Sequence, residues 1–340
     1  MRSGAFHMKS AKKWMSVLLG TLLAFVLAVQ AFAATAVTDT HIRPSMHGAL
    51  HVEGGKLADA KNEPVQLKGV SMHGLAWYPY YVNTQAFQDI QNLFDADLVR
   101  LPVYTVEYGG YCSGGNKEDL QDLVRGGIRA ASNADMYVIV DWHVLSDRDP
   151  NVYVKEAVDF FDTLSKEFSS QNNVIYEICN EPNSGTDWAS IKRYAETVIP
   201  VIRKNAPNAL ILVGTPNWSQ YIDEAQKDPI TGYDNIMYTM HFYAATHKDD
   251  MRQRLENACA AGLPVFISEF SISEASGSGY LDTAEGEKWM ELINRYGLSY
   301  VGWSFCNKNE SSALLRQDCT GLMNFTAADL SPAGQWLAAH

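Results

Sequence analysis

Two glutamates carry the most specific chemistry in this chain of 340 residues: Glu181 in Asn180-Glu181-Pro182, and Glu269 in Ser268-Glu269-Phe270, with the second motif 88 positions after the first. A carboxylic acid and a carboxylate that face each other across a cleft can cleave a glycosidic bond. One protonates the leaving oxygen while the other attacks or stabilises the sugar carbon. Other polar residues recur along the chain in the same manner: His73, Arg100, His143, His241 and Tyr243 each lie in or just after a short β-rich run. A single histidine at a strand end usually holds a loop; the repetition of polar groups at successive runs is what points to a site.

The elements that must position these groups are legible in the hydrophobic pattern. Runs at 65–71, 98–103, 137–142, 174–178, 210–213, 236–240, 264–267 and 300–304 are rich in β-branched and aromatic residues. Between them, apolar residues at i, i+3 and i+4 mark helices over 83–96, 117–134, 152–168, 188–204, 249–261 and 283–296, with a short fifth crossover at 218–228 and a last helix at 332–339. Eight strand–helix repeats without a linker predict an α/β fold of the (β/α)8 TIM-barrel class rather than two doubly wound domains. The segment Gly69–Gly74 lacks the GxGxxG spacing of a dinucleotide loop, so nucleotide binding loses support. In such a barrel the ligand-facing groups sit at the C-terminal strand ends. Strands 4 and 7 would then carry Glu181 and Glu269 to the same mouth. Glu177 shares the parity of Glu181 but lies four residues, ~13 Å, lower, and reads as a buried carboxylate beneath the site. Glu63, Glu107 and Glu310 fall in loops and are expected to be solvated.

Residues 50–64 read as a small N-terminal β-hairpin that lids one end of the barrel, residues 34–48 as an aperiodic connector, and 49–340 as the catalytic barrel domain. The first 33 residues hold Arg2, Lys9, Lys12 and Lys13, an apolar run over 15–29 and Ala31-Phe32-Ala33, the pattern of a cleavable secretory signal peptide. A membrane anchor fits less well, because the run is shorter than the ~20 residues a span needs. The net charge of −12 becomes −16 without that segment, which excludes binding modes built on phosphate neutralisation. The five cysteines, at 112, 179, 259, 306 and 319, show no metal-binding spacing, and their odd number leaves at least one thiol unpaired within the chain.

From about Leu50 to Leu337 the sequence resembles glycoside hydrolase family 5, of the bacterial endo-β-1,4-glucanase (cellulase) type and close to its subfamily 2. The matching motifs are Asn180-Glu181-Pro182, Ser268-Glu269-Phe270, Val99-Arg100-Leu101-Pro102, Asp141-Trp142-His143, His241-Phe242-Tyr243 and Gly302-Trp303-Ser304-Phe305. Segments 68–77 and 303–308 add to the likeness. The resemblance implies that Glu181 is the general acid/base and Glu269 the nucleophile of a retaining double displacement. Arg100 and Tyr243 would orient Glu269, Asn180 would bond the sugar 2-hydroxyl, and His143 and His241 would complete the polar network.

A polysaccharide enzyme also needs aromatic platforms for the apolar faces of its sugar rings. Trp77, Tyr104, Trp218 and Trp303 lie near strand ends and fit that role, with His73 and Lys308 as polar substrate contacts. Trp142 fits either wall or core, and Tyr78, Tyr80 and Tyr81 form a cluster the sequence does not resolve. His73, His143 and His241 could form a three-histidine metal site, but strand 1 lacks the HxH pair of metal-dependent barrels and the glutamates would be left without a role. No cofactor or metal is therefore expected. The expected partner is a β-glucan polysaccharide or oligosaccharide, with no nucleic acid and, after signal cleavage, no membrane; the mature protein is expected to be a secreted monomer. Other β-glycans such as mannan, xyloglucan or lichenan, and a non-catalytic carbohydrate-binding barrel, remain the alternatives.

Overall fold

Strands that are apolar on both faces need cover on both. In the computed structural model, which describes residues 41–340, every residue of the barrel strands Leu98–Tyr104, Tyr137–His143, Ile236–Tyr243 and Val265–Ser271 is buried. Together with Lys68–Met72, Val174–Glu177, Ile211–Val213 and Tyr300–Phe305 they close an eight-stranded parallel barrel, the eighth strand pairing with the first. This is the expected (β/α)8 barrel. The outward residues Val99, Leu101, Val103, Val138 and Val140 join Phe87, Ile90, Val124, Ile128, Phe160 and Leu164 from the helices in one apolar layer.

Local sequence sets the helix ends. The Asn83 side chain caps Thr84–Phe94, Asn116 caps Lys117–Asn133 and Asp187 caps Trp188–Asn205, each accepting a free first-turn N–H. Thr283–Tyr296 stops at Gly297, whose left-handed φ of 64° suits glycine. The short fifth crossover resolves into two turns, Pro216–Ser219 and Ile222–Lys227. No helix of the described residues is long and apolar enough to cross a membrane.

The hairpin pairs His51–Glu53 with Lys56–Ala58. Leu50, Leu57, Val65 and Leu67 around it cluster with the inward residues Leu98, Tyr137, Ile139, Ile175, Leu212, Met237, Phe266 and Val301. Most of these lie at the starts of their strands, so the plug closes the N-terminal end of the barrel and leaves the C-terminal end open. Of the expected connector, residues 34–40 lie outside the described residues, as does the expected signal segment 1–33. Residues 41–48 contain the one-turn helix Pro44–His47 and dock on the barrel, Ile42 N–H donating to Asp97 at 2.7 Å.

A β-bulge decides what the seventh strand shows to the barrel interior. Thr239 pairs with Phe266 but His241 pairs with Glu269, so the seventh strand spends three residues where the sixth spends two. Simple alternation would turn only one of Ser268 and Glu269 inward, and the bulge brings in both.

Glycine is required beneath the open end at one position. A Cβ on Gly214 would stand 2.3 Å from the Cys179 carbonyl oxygen and 2.9 Å from that of Asn180. Gly214→Ala is therefore expected to cost about 1–3 kcal/mol and to lower the melting temperature by several degrees. An unchanged melting temperature in a thermal scan would show that the backbone there yields freely.

Candidate active site

The inward residues above the apolar plug form an ionic layer around one guanidinium. Arg100, fully buried, donates from Nε to Glu177 at 2.7 Å, from Nη1 to Glu269 at 3.1 Å and from Nη2 to the Asn180 side-chain oxygen at 2.6 Å, with Asp141 2.9 Å from Nη2. Burial opposes its charge, but Asp141, Glu177 and Glu269 outweigh that and hold it protonated. The same field acts on its partners. Burial pushes Glu177 up, yet Arg100 and His241 bring it down to about 2. Glu177 thus lies directly under the site as a permanent anion, the place expected of it.

Above this layer stand the two glutamates. Glu181 follows the fourth strand and is fixed by its own N–H, which donates to the Val144 carbonyl at 3.0 Å. Glu269 accepts from Arg100 on one oxygen and from the Tyr243 hydroxyl, at 2.7 Å, on the other. Carboxylate oxygens of Glu181 and Glu269 approach within 4.8 Å of each other. Their acidities are driven apart. For Glu181, burial and the charge of Glu269 hold the carboxyl above its ordinary value against the pull of His241. For Glu269, burial is overcome by His241, Arg100 and the Tyr243 hydroxyl, and its carboxylate is stabilised.

The hydrogen bonds fix the histidine protons. Ser268 Oγ donates to Glu177 at 2.6 Å, so His241 Nε2, 2.9 Å away, must be the donor to Ser268. His241 Nδ1 then faces Glu181 at 2.9 Å with a proton between them. Burial disfavours a charged His241, but the carboxylates of Glu177, 3.8 Å from Nε2, and Glu181, together with Glu269, lift it to about 9, so the pair keeps a dissociable proton past neutrality. His143 is the opposite case: burial and Arg100 drive it down to about 3. Neutral His143 donates from Nδ1 to Asp141 at 2.6 Å and accepts at Nε2 from the Asn180 amide at 3.2 Å.

These groups open into a cleft of about 520 Å³. His73, His143, His241, Tyr243, Glu181 and Glu269 line it, joined by Tyr104, Trp218, Trp303 and Lys308. Arg100 and Asn180 do not reach the cleft wall; both are wholly buried behind it, and the Asn180 amide is engaged by Arg100, His143 and the Val144 carbonyl. Trp77 stands beside the cleft, its ring 4.5 Å from Tyr104 and 5.6 Å from His73. Trp303 stacks over His143 at 5.7 Å. Trp142, open between wall and core in the sequence, is fully buried against Tyr111 and Phe160.

Trp218 reaches the cleft through unusual backbone. Asn217, Trp218 and Ser219 have φ of 55°, 58° and 54°, a left-handed turn that costs roughly 1–2 kcal/mol per residue. Ser219 secures the turn: its hydroxyl donates to the Asn180 carbonyl at 2.6 Å and accepts from Thr239 and from the Thr215 N–H. The indole is 39% exposed.

Two loop acids depart from their expected solvation: Glu107 is half-buried, one carboxylate oxygen accepting the Ser146 N–H at 3.0 Å and the other sealed from solvent, and Glu310 goes further. The side chain of Glu310 is 7% exposed and pairs with Lys308 at 2.6 Å, with His73 Nε2 at 3.6 Å. Lys308 shields it from water and His73 supports its charge. Sequence reasoning missed Asp141 and Ser268 as well. Asp141 was findable, since it shares the parity of His143 two residues on; Ser268 was hidden by the bulge.

Among the described residues the three histidines do not converge as one metal-ligand set; the groupings are Glu181–His241–Glu269 and His73–Cys306–Glu310. His73 Nδ1 accepts the Gly74 N–H at 2.7 Å, which places the ring proton on Nε2, toward Glu310. That tautomer offers no lone pair to a cation in the second grouping. All five cysteines are free thiols.

Residues 58–309 match the family model for cellulase, glycosyl hydrolase family 5. Over 294 residues the chain is 45% identical to Endoglucanase A of Butyrivibrio fibrisolvens, covering 86% of this chain and 68% of that one. It is 40% identical over 328 residues to an endoglucanase of Clostridium saccharobutylicum, covering 95% and 71%. Among solved structures, the catalytic domain of Thermobifida fusca endoglucanase Cel5A in complex with cellotetraose is similar with a TM-score of 0.82 at 33% identity, covering 87% of this chain and 98% of that one. A barrel whose fourth and seventh strands bring two glutamates of opposed acidity to one mouth, matched over most of its length by that model, makes this chain a glycoside hydrolase belonging to glycosyl hydrolase family 5, the cellulase family.

Proposed function

We propose that the protein is an endo-β-1,4-glucanase that cleaves internal bonds of cellulose and related β-glucans by a retaining double displacement. The observation that carries this reading is the approach of the Glu181 and Glu269 oxygens within 4.8 Å. Retaining enzymes keep their carboxyl groups ~5–5.5 Å apart, whereas inverting enzymes need ~6.5–9.5 Å to admit water between them. The aromatic floor, in which Trp303 stacks on His143 and Tyr104 packs tilted against the same ring, supports a chain of pyranose rings as substrate, and the endoglucanase relatives support a β-glucan.

The first step follows from the geometry. Glu269, held ionised and aimed by Arg100 and Tyr243, attacks the anomeric carbon while Glu181 protonates the departing glycosidic oxygen. Covalent bonding removes the Glu269 charge, and with it one cause of the raised pKa of Glu181. Glu181 then accepts a proton from water, whose oxygen attacks the anomeric carbon of the glycosyl-enzyme and displaces Glu269 as its carboxylate. His241 bridges Glu181 to Ser268 and Glu177 and keeps the proton on this side of the sugar. Arg100 and Asn180 act from behind the wall as positioning residues. Export through the signal-like segment 1–33, and action as a monomer, complete the proposal.

Glu181→Gln is expected to lose ~10²–10⁴-fold in turnover of natural glucans while sparing the first step on substrates with an activated aryl leaving group, which needs no acid. Equal loss on both would remove Glu181 from the acid role. Glu269→Gln should lose on the order of 10⁴-fold or more on every substrate, yet still bind oligosaccharide in calorimetry; substantial residual turnover would contradict the nucleophile assignment.

The pH profile has a sign set by the same contacts. Activity needs Glu269 ionised, so it falls on the acid side, below the ordinary carboxylate range because the group is stabilised as an anion. It needs the Glu181–His241 proton, so it falls on the alkaline side, above the ordinary glutamate value. Tyr243→Phe deletes a donor to Glu269 and should move the acid limb of kcat/KM to higher pH while leaving the alkaline limb in place. An unmoved acid limb would show that Tyr243 does not stabilise that carboxylate.

Product release from carboxymethyl cellulose, lichenan, xyloglucan and mannan, assayed in parallel with wild type and Glu269→Gln, tests the substrate. Activity on the β-glucans that disappears in the variant is expected. Preference for mannan would keep the mechanism and overturn the substrate, and polysaccharide binding without hydrolysis of any of the four would overturn the enzyme reading.

A further inference from the structure

One ring stands out as the most exposed aromatic among the described residues. Tyr108 is 92% exposed, at the tip of the loop that follows the second barrel strand. Removing so exposed a ring should leave stability nearly unchanged, so its place at the tip needs another account.

The tip is held rigidly. The Trp77 indole N–H donates to the Tyr108 carbonyl at 2.8 Å. Gly110 N–H bonds the Glu107 carbonyl at 2.7 Å and Cys112 N–H the Thr105 carbonyl at 2.8 Å, while Ser146 N–H ties the Glu107 side chain to the neighbouring loop at 3.0 Å. Gly109 has a φ of +73°, and a Cβ on Gly110 would stand 2.6 Å from the Thr105 carbonyl oxygen, so the turn depends on both glycines. On the other side of Trp77, Tyr80 is 53% exposed and its hydroxyl donates to the Trp77 carbonyl at 3.1 Å. Two exposed tyrosines are thus fastened to one tryptophan, and that tryptophan packs on Tyr104 and His73, which line the cleft. The two tyrosines are thereby anchored beside an aromatic that adjoins the cleft floor.

We infer that Tyr108 and Tyr80, with Trp77 between them, form an outlying platform that stacks on distal glucosyl rings of a long β-1,4-glucan whose reacting bond lies over Glu181 and Glu269. This rests on the endoglucanase reading above and adds to it a preference for long chains. A sugar ring presents an apolar face to an aromatic, and a loop backbone already fixed in place limits the freedom lost when the ring is covered. The platform binds ground state and transition state alike, so its contribution belongs in KM rather than kcat.

Kinetics with cellohexaose and with an aryl cellobioside, too short to reach the rim, test this. Tyr108→Ala should raise KM for the hexasaccharide by about threefold to tenfold at nearly constant kcat, with a larger rise in the Tyr80→Ala/Tyr108→Ala double variant. Neither variant should alter the aryl cellobioside kinetics, and Tyr108→Phe should restore wild-type KM because the ring, not the hydroxyl, does the stacking. A double variant within twofold of wild type on the hexasaccharide, or one that loses equally on both substrates, would overturn the platform. Wild type that hydrolyses neither substrate would instead overturn the endoglucanase reading, and the platform with it.

Discussion

The Arg100 guanidinium, sealed in the middle of the barrel, is the constraint on which the rest of the site depends. It joins the second strand to Asp141 on the third, Glu177 and Asn180 on the fourth and Glu269 on the seventh. A lone buried cation would be prohibitively costly, and so would three carboxylates without it; breaking one member out of such a cluster typically costs about 3–5 kcal/mol. The barrel supplies the enclosure that makes these interactions strong. The apolar plug under the layer and the cleft above it leave the ions one open side, where the two glutamates stand.

From this centre the two glutamates acquire different acidities although they stand within 4.8 Å of each other. Glu269 touches Arg100 directly and receives the Tyr243 hydroxyl, so its anion is favoured. Glu181 touches only His241, is buried and feels the negative charge of Glu269, so its proton is favoured. The difference is one of neighbours, not of residue type. His241 and His143 repeat it: one faces two carboxylates and is lifted to about 9, the other lies in the field of Arg100 and falls to about 3.

The strand runs, the crossover helices and the two glutamate motifs were legible in the sequence because periodicity and strand-end position are local properties. Even Glu177 could be placed, since parity along one strand is local as well. What escaped is non-local. Ser268 enters the site only because the seventh strand carries one extra residue against the sixth, and no pattern within 265–271 announces a bulge. Glu310 reads as a solvated loop acid until the fold lays Lys308 over it and His73 beside it. Trp218 lies where a helix start was expected, and the left-handed turn that lifts it to the cleft is held by Ser219, whose partners are Asn180, just past the fourth strand, and Thr239, within the sixth. Asn180, assigned by resemblance to the sugar, has its amide occupied by protein groups in this structure.

The central claim is that water and sugar never meet directly in the first step, because Glu269, whose oxygens approach those of Glu181 within 4.8 Å, itself attacks the anomeric carbon. Proton NMR of the product released in the first minutes from a soluble cello-oligosaccharide, before mutarotation blurs the anomers, reads this outcome. The account predicts that the new reducing end appears first as the β-anomer. First appearance of the α-anomer would mean single displacement with inversion, and would contradict the nucleophilic role of Glu269.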